Sequence, residues 1–514
     1  LVFKNLGIKN YAAVISCLVL AFSRTLWSHA GAARVYALTG FFFVILLIFL
    51  TKWFQNRKLK YLYLFAFFLG FGFGAHITIG FAAIMLLVVL LITDRRILIN
   101  LKFLSKSAIL FLMPFIQYLY LFVAYNRFKI INFGDLSNFA GFFHYITQRD
   151  FAYKIATQSL DVVYAIFNTA FKLALNEFTW VLFLAIIGGA VIFYKFYKEK
   201  RPLFWGFVSV VFANLLLMIN YGNLNDLVIL FRYFLLSYIV VSIFIAFSLQ
   251  FIFYFIKNIC RAPQIIAVLL LLVIPIIPLK ANYSLNNRHN NYIVQDFAEN
   301  ILKTVEGSSL IISSGDAVTG SLWYLQSIGE RNDVVIVDKD LLVANWYVKN
   351  QGKVYPEVFN LSLLQLNPLD RFTYLIGTHS GKRPIYTTFL PTGLMDGFNK
   401  FIASPEGTIN PFIFVPRGIT YKIIKGQDID INFVHLSNNE LWSKYQLRGV
   451  APNQDYDFLI TFLVNSYSVS LNNLGAFYWG YKLLDEAKSA FEKSLEIDPD
   501  NSKARDNLNR LFNE

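Results

Sequence analysis

Two cysteines occur in 514 residues, Cys17 in an apolar run and Cys260 in a basic loop. So few exclude a disulfide framework and a CxxC metal site. The six histidines stand singly, so no metal cluster is legible, and no cofactor is expected. Neither GxGxxG nor GxxxxGK[ST] is present, which leaves a nucleotide site without support. Charge is scarce: 15% of residues are charged against 56% hydrophobic, and the basic excess gives a net +14. That excess does not point to nucleic acid. The positive side chains lie mainly in short loops between apolar runs, where membrane topology and anionic lipid account for them. Methionine is missing at the start, and residues 1–10 (LVFKNLGIKN) lack the pattern of a signal peptide. They read as a loop between two spans, so at least one earlier span is expected before Leu1.

What is present divides into unlike halves. Residues 1–280 read as a multi-span membrane domain and 281–300 as a polar linker. Residues 301–450 read as an α/β domain and 451–514 as a helical repeat region. The fold class expected is therefore a polytopic α-helical membrane domain of about nine spans, followed by an outward-facing α/β domain and a helical hairpin. The spans fall at roughly 11–25, 35–52, 61–75, 77–93, 106–125, 178–195, 203–220, 231–254 and 264–279. Basic residues cluster in alternate loops: Lys4 and Lys9, Lys52 to Lys60, Arg95 to Lys106, Lys195 to Arg201, and Lys257 with Arg261. The positive-inside rule makes that side cytoplasmic and puts the C-terminal half outside.

The membrane half is organised around Tyr61–Thr93, 33 residues without a formal charge. One straight span is too short for it, and a tight hairpin with its tip at Ala75–His76 fits, with Gly70 and Gly74 at a small-xxx-small spacing. Two readings of His76 are open: a tip residue meeting headgroups and water, or a group lining a polar site. The other outward segments carry Arg24, Trp27, His29 and Arg34; then Asn126–Glu177, with an interfacial helix near its start; then Asp226 and Arg232. Each aromatic or basic residue alone reads as an interfacial anchor, and their gathering on one face suggests a site.

In the second half, Ser309–Ser313, Val334–Val337, Tyr374–Thr378, Pro384–Phe389 and Phe412–Val415 read as strands. Ala317–Ile328 and Leu341–Lys349 read as helices, making a parallel βαβ unit. Gly315-Asp316 reads as a turn with a helix cap, or as a ligand site at a strand end. Leu474, Gly475, Tyr478, Ala487, Phe491 and Pro499 fall at tetratricopeptide spacing. One such unit cannot bury its face alone, so it should pack on the α/β domain, on extra helices or on a protein partner.

TLWSHAGAARVYAL, LGFGFGAHIT, LIISSGDAVTGSLWYLQSIGERNDVVIV and LLVANWY occur in this order. Together they resemble a family of bacterial membrane proteins related to transmembrane protein 260, a protein O-mannosyltransferase of the C-type glycosyltransferases. The acidic residue usual before Val35-Tyr36 is Arg34 here, and the usual asparagine before the histidine is Ala75. The resemblance implies a bacterial inner-membrane enzyme moving a sugar from a polyprenyl phosphate to a protein or glycan acceptor at the outer face. It implies an essential acidic residue in the first outward loop, which would lie before Leu1. Within the chain, Arg24, His76 and Arg232 are the phosphate candidates, with Trp27 and His29 beside them. Asp226 is the leading carboxylate, with Asp135 and Asp150 behind it. Alternative readings are a membrane scaffold that holds partner proteins and, ranked below it, a transporter.

Overall fold

The computed structural model describes all residues except 128–132, 148–158, 195–197, 222–230, 259–262, 391–411, 427–428, 453, 455 and 513–514. The chain divides into two units, Leu1–Ala124 with Gln148–Asn287, and Tyr125–Thr147 with Arg288–Glu514.

The first unit is helical: α1 (Asn10–Ala21), α2 (Arg24–Ala30), α3 (Val35–Asn56), α4 (Lys60–Phe73), α5 (Phe81–Thr93), α6 (Leu101–Leu112), α7 (Leu160–Phe178), α8 (Phe183–Tyr194), α9 (Arg201–Tyr221), α10 (Leu235–Asn258) and, after a short helix Gln264–Leu271, α11 (Ile276–Asn286). Among the described residues, six stretches are long and apolar enough to cross a membrane: Val35–Asn56, Leu101–Tyr125, Leu160–Tyr194, Arg201–Asn220, Arg232–Asn258 and Ile265–Asn286. The protein is therefore an integral membrane protein. Of the nine expected spans, these account for six. The first corresponds to α1 and α2, which are bent by 72°, and the two arms of the uncharged run are short helices. Residues 160–177, expected in an outward loop, belong instead to α7, with Ile166 and Phe178 in the core.

No charge occurs between Arg232 and Lys257, and α10 is buried around most of its circumference, as an all-apolar helix should be. Helices α1, α3, α8 and α9 pack against it. Hydroxyls that would otherwise be stranded bond across these contacts: Ser16 donates to the Ser242 carbonyl (2.5 Å) and Ser237 to Asn214 (3.1 Å). The uncharged run is not the tight hairpin expected. Helix α4 packs on α3 and α6, while α5 packs on α9. The glycines serve the α6 side: a Cβ on Gly70 would sit 2.1 Å from the Phe111 carbonyl oxygen, and one on Gly74 would overlap Gln117.

The two ends of the unit differ in chemistry. At one end Lys200 donates to the Leu6 carbonyl (2.6 Å), Asn5 to Thr51 (3.0 Å) and the Lys9 amide to Gln250 (2.7 Å). These bonds gather the N-terminal stretch, the end of α3, the start of α9 and the end of α10. The start of α3 lies about 33 Å away, at 1.5 Å for each of its 22 residues.

In the second unit, α12 (Ile293–Thr304) precedes β1 (Leu310–Ser313), α13 (Asp316–Ser327) and β2 (Val335–Asp338). Then come α14 (Asn345–Val354), α15 (Arg371–His379), β3 (Ile385–Thr387), β4 (Phe412–Arg417), β5 (Thr420–Lys425), α16 (Ile431–Lys444), α17 (Phe458–Gly480), α18 (Leu484–Ile497) and α19 (Ser502–Phe512). The sheet order is β2-β1-β3-β5-β4, with β1 parallel to β2 and β3 and the β3–β5 and β5–β4 pairs antiparallel. Ile311 faces the α12 and α13 side, and Leu310 and Ile312 face α14 and α15, as alternation along a strand requires.

Two expectations are corrected. Tyr374–Thr378 lies in helix α15, because Phe372, Leu375, Ile376 and His379 bury one face at helical spacing. The polar linker 281–300 is largely helical: Ile293, Phe297, Ala298, Ile301 and Leu302 make α12 amphipathic and buried on one side. The helix expected from Leu341 begins with a single turn, and α14 proper starts at Asn345.

Helix α17 carries the hairpin and also closes the α/β core. Tyr467 packs its ring on Phe297 (5.1 Å between centroids) and accepts from Asn300 (3.0 Å). Farther along, a Cβ on Gly475 would lie 2.6 Å from the Phe491 ring of α18, and Ala487 is fully buried. Ala487→Glu should therefore cost about 3 kcal/mol or more through an unpaired buried charge. Melting of the full chain followed by near-UV circular dichroism checks this, and an unchanged transition would refute the close packing.

The segment Tyr125–Thr147 folds with this unit. Tyr125 donates to Asn350 (3.0 Å) and accepts from Lys353 (2.8 Å), Asn350 donates to the Gly134 carbonyl (3.0 Å), and Asp135 pairs with Lys349 (3.3 Å). Four long apolar stretches separate that segment from Arg288. An even number of crossings returns the chain to the side it left. Cysteines placed at Ala140 and Glu330 in a cysteine-free background should thus react with an impermeant maleimide from the same side, and one at Lys58 from the other. Opposite labelling of the first pair would break the crossing count.

Candidate functional site

The bend between α1 and α2 is held from a distance. Helix α2 starts at Arg24 with Ser23 buried and extended before it. Glu177, at the end of α7 and 2% exposed, accepts the Thr25 amide (2.8 Å) and the Thr25 hydroxyl. Asn282 on α11 donates to the Phe22 carbonyl (2.9 Å) and the Glu177 carbonyl (3.1 Å). A side chain from another helix thereby serves as the cap that α2 lacks. Arg24 lies within Coulomb range of this carboxylate.

At the other end of α2 a second cluster forms. His29, 1% exposed, stacks near Tyr36 (4.9 Å between ring centroids). Tyr36 meets His76 (5.2 Å) and Tyr233 (5.9 Å), and His76 meets Tyr233 (5.3 Å). The Arg232 guanidinium stands over Tyr36 (5.3 Å) and Tyr233 (5.8 Å), within cation–π range. Its Nε is buried without a hydrogen-bond partner among the described residues. His76 caps the turn Ile77–Gly80, its Nδ1 accepting the Thr78 amide (3.3 Å) and meeting the Thr78 hydroxyl (2.9 Å). With Nδ1 used as an acceptor, the ring proton belongs on Nε2.

His76 and Arg232 therefore converge, and His29 joins them. Arg24 sits five residues before His29, about 7.5 Å along the helix axis, within Coulomb range of Glu177. Trp27 turns another way, its ring near Phe22 (5.8 Å) and Tyr283 (6.2 Å). Asp226 and Asp150 lie outside the described residues. Asp135 belongs to the second unit, where Ser137 and Lys349 hold it. Sequence reasoning missed Tyr36, Tyr233, Glu177 and Asn282. Glu177 did carry a signal, as a lone acid at the edge of an apolar run. No group of metal-ligating side chains occurs among the described residues.

The cluster offers cationic and hydrogen-bonding chemistry without a carboxylate among its named members. Such a set can bind an oxyanion, and proton removal would fall to another group.

The motif run of the second unit is structural. Asp340 accepts the Ser314 hydroxyl (2.8 Å) and the Gly315 amide (3.0 Å), fixing the loop after β1 where Gly315 has φ 87°. Arg331 donates to the carbonyls of Leu302 (2.5 Å), Val305 (3.2 Å) and Glu306 (2.9 Å). The same guanidinium bonds Asp333 and, with the Ser308 amide, holds that carboxyl down to about 2. Tyr347 accepts the Asp338 amide (2.9 Å).

Replacing Glu177 tests the clamp. Glu177→Ala leaves the Thr25 amide and hydroxyl without their acceptor and should cost about 1–3 kcal/mol. Glu177→Gln, which keeps one acceptor oxygen, should cost less. Thermal unfolding in detergent compares the two, and equal effects would remove the capping role.

Residues 3–100 match the model of the protein O-mannosyl-transferase TMEM260 N-terminal domain, and 294–357 match that of TMEM260-associated domain 2. Protein O-mannosyl-transferase tmem260 of Dictyostelium discoideum is 24% identical, over 95% of this chain and 64% of its own length. Protein O-mannosyl-transferase TMEM260 of Mus musculus is 30% identical over 79 residues, 15% of this chain and 11% of the mouse protein. The chain thus spans less than two thirds of either relative. No solved structure matches. The chain is related to the TMEM260 proteins.

Proposed function

We propose that this chain is a membrane glycosyltransferase that takes a sugar from a polyprenyl phosphate and gives it to a protein acceptor at the outer face. The observation that carries the reading is the buried, unpartnered Nε of Arg232, set among His29, Tyr36, His76 and Tyr233. In glycosyl transfer from a lipid phosphate, negative charge builds on the leaving phosphate. A guanidinium fixed in advance by two aromatic faces stabilises that charge with little reorganisation. His76, protonated on Nε2, adds a donor. The names of the relatives make mannose the first sugar to test.

The face follows from the charge pattern. The cluster lies at the starts of α3 and α10, the ends opposite Lys9 and Lys200, and the positive-inside rule assigns the basic end to the cytoplasm. On that reading Arg288–Glu514 is extracytoplasmic, in a bacterial inner membrane. Asp226, six residues before Arg232, stands as the sequence candidate for the carboxylate that takes the acceptor proton. Arg24 and Trp27, on the same helix α2 as His29, stand as further sequence candidates for binding the donor. The α17–α18 hairpin is the tetratricopeptide-like unit, a surface for a protein partner.

Arg232→Gln and His76→Ala should each lower transfer from a lipid-phosphate mannose by about 10- to 100-fold. Membrane insertion should be unchanged in both, and only His76→Ala should lower the melting temperature, through loss of its cap on the Thr78 amide. Transfer at the parent rate in both variants would sink the phosphate site.

A further inference from the structure

The second unit holds a cavity of about 360 Å³ that none of the motifs explains. Its walls come from the end of α12 (Lys303), the end of β4 (Arg417) and one face of α16 (Ser437, Glu440, Lys444), with Tyr445 beyond. Ser437, Glu440 and Lys444 recur at three and four residues, so all three point the same way.

The charges are unequally matched. Lys303 has Glu299 (3.4 Å), Lys444 has Glu440, and neighbouring Lys422 has Glu306 (2.6 Å). Arg417 has no salt bridge among the described residues; Glu306 and Glu440 act on it only at Coulomb range. Its Nε is buried without a hydrogen-bond partner, and its guanidinium is 5.8 Å from the Phe433 ring. A guanidinium held against an aromatic face, with donors unspent and a cavity beside it, is built to receive an oxyanion.

We propose that this cavity binds a small phosphomonoester, its phosphate on Arg417 with Lys303 and Lys444 at the rim. Lys303, Arg417, Lys444 and Glu440 sum to +2, which matches the charge of about −1.5 to −2 on a phosphomonoester. A bare phosphate leaves most of the volume empty, and the remainder has room for a group the size of a hexose. Tyr445 supplies a flat wall. Its hydroxyl is already engaged with Thr304 and the Ile419 amide (3.2 Å), so the wall is rigid. The ligand is distinct from the lipid-linked sugar proposed for the first unit, and this inference does not rest on that reading.

Isothermal titration of the detergent-solubilised full chain with a hexose phosphate, inorganic phosphate and the uncharged hexose tests it. The hexose phosphate should bind at least tenfold more tightly than inorganic phosphate, and the uncharged hexose should give no saturable signal. Arg417→Gln should weaken hexose phosphate binding tenfold or more at an unchanged melting temperature. Should that variant fail to fold, the double variant Lys303→Gln with Lys444→Gln, both at the exposed rim, should weaken it by a similar factor. No saturable binding to the parent would overturn the proposal, as would equal affinity for phosphate and its hexose ester. Unchanged affinity in the folded variant would do the same.

Discussion

A helix with no charge between Arg232 and Lys257 must be buried in protein or lipid, and here it is buried mostly in protein. The rest of the membrane unit follows from that. Helices α1, α3, α8 and α9 pack around α10, and the polar groups of the wall bond across the seams because no water can satisfy them there. The chain is charged again at the two flanks of this run, at Arg232 just before α10 and at Lys257 in its last turn. The candidate site is at the Arg232 flank, because there a guanidinium can be half-buried against aromatic rings and still face an anionic group.

Six of the nine expected spans were legible because polarity alone marks them, and each corresponds to a long apolar helix among the described residues. Their partners were not. Gly70 and Gly74 announce a close approach without saying to which helix, and the partners proved to be Phe111 of α6 and Gln117 just after it rather than the second arm of the same run. The 72° bend before Arg24 has no proline or glycine to announce it. It depends on Glu177, 152 residues away, and on Asn282, 260 residues away. His76 and Arg232 could be paired from sequence because both are polar groups at one end of apolar runs. Arg24 satisfied the same criterion, yet the carboxylate within its Coulomb range is Glu177, which the sequence could not place there.

In the second unit the βαβ core was legible from its strand spacing, and the errors came where period and propensity disagree. TYLIG has the composition of a strand, yet its buried positions follow 3.6 residues per turn. Arg371, one residue before that face, is 1% exposed and donates to the carbonyls of Leu363 and Leu342 (2.8 Å each). No local pattern reveals a cation used to tie loops through their carbonyls. The same holds for Arg331, which sits in the most recognisable motif of the chain and clasps the end of α12 to the residues before β2.

The bonds from Tyr125 and Gly134 to Asn350 join residues 225 and 216 positions apart. A ribosome adding about 5–20 residues per second takes roughly 10–45 seconds to cover that interval. Throughout it the early segment has left one set of helices and has nothing to fold against, while four further apolar stretches must be inserted. Assembly of the second unit is therefore tied to the order of membrane insertion. A late or inverted helix among those four would deliver the two pieces to opposite sides, and the unit could not close.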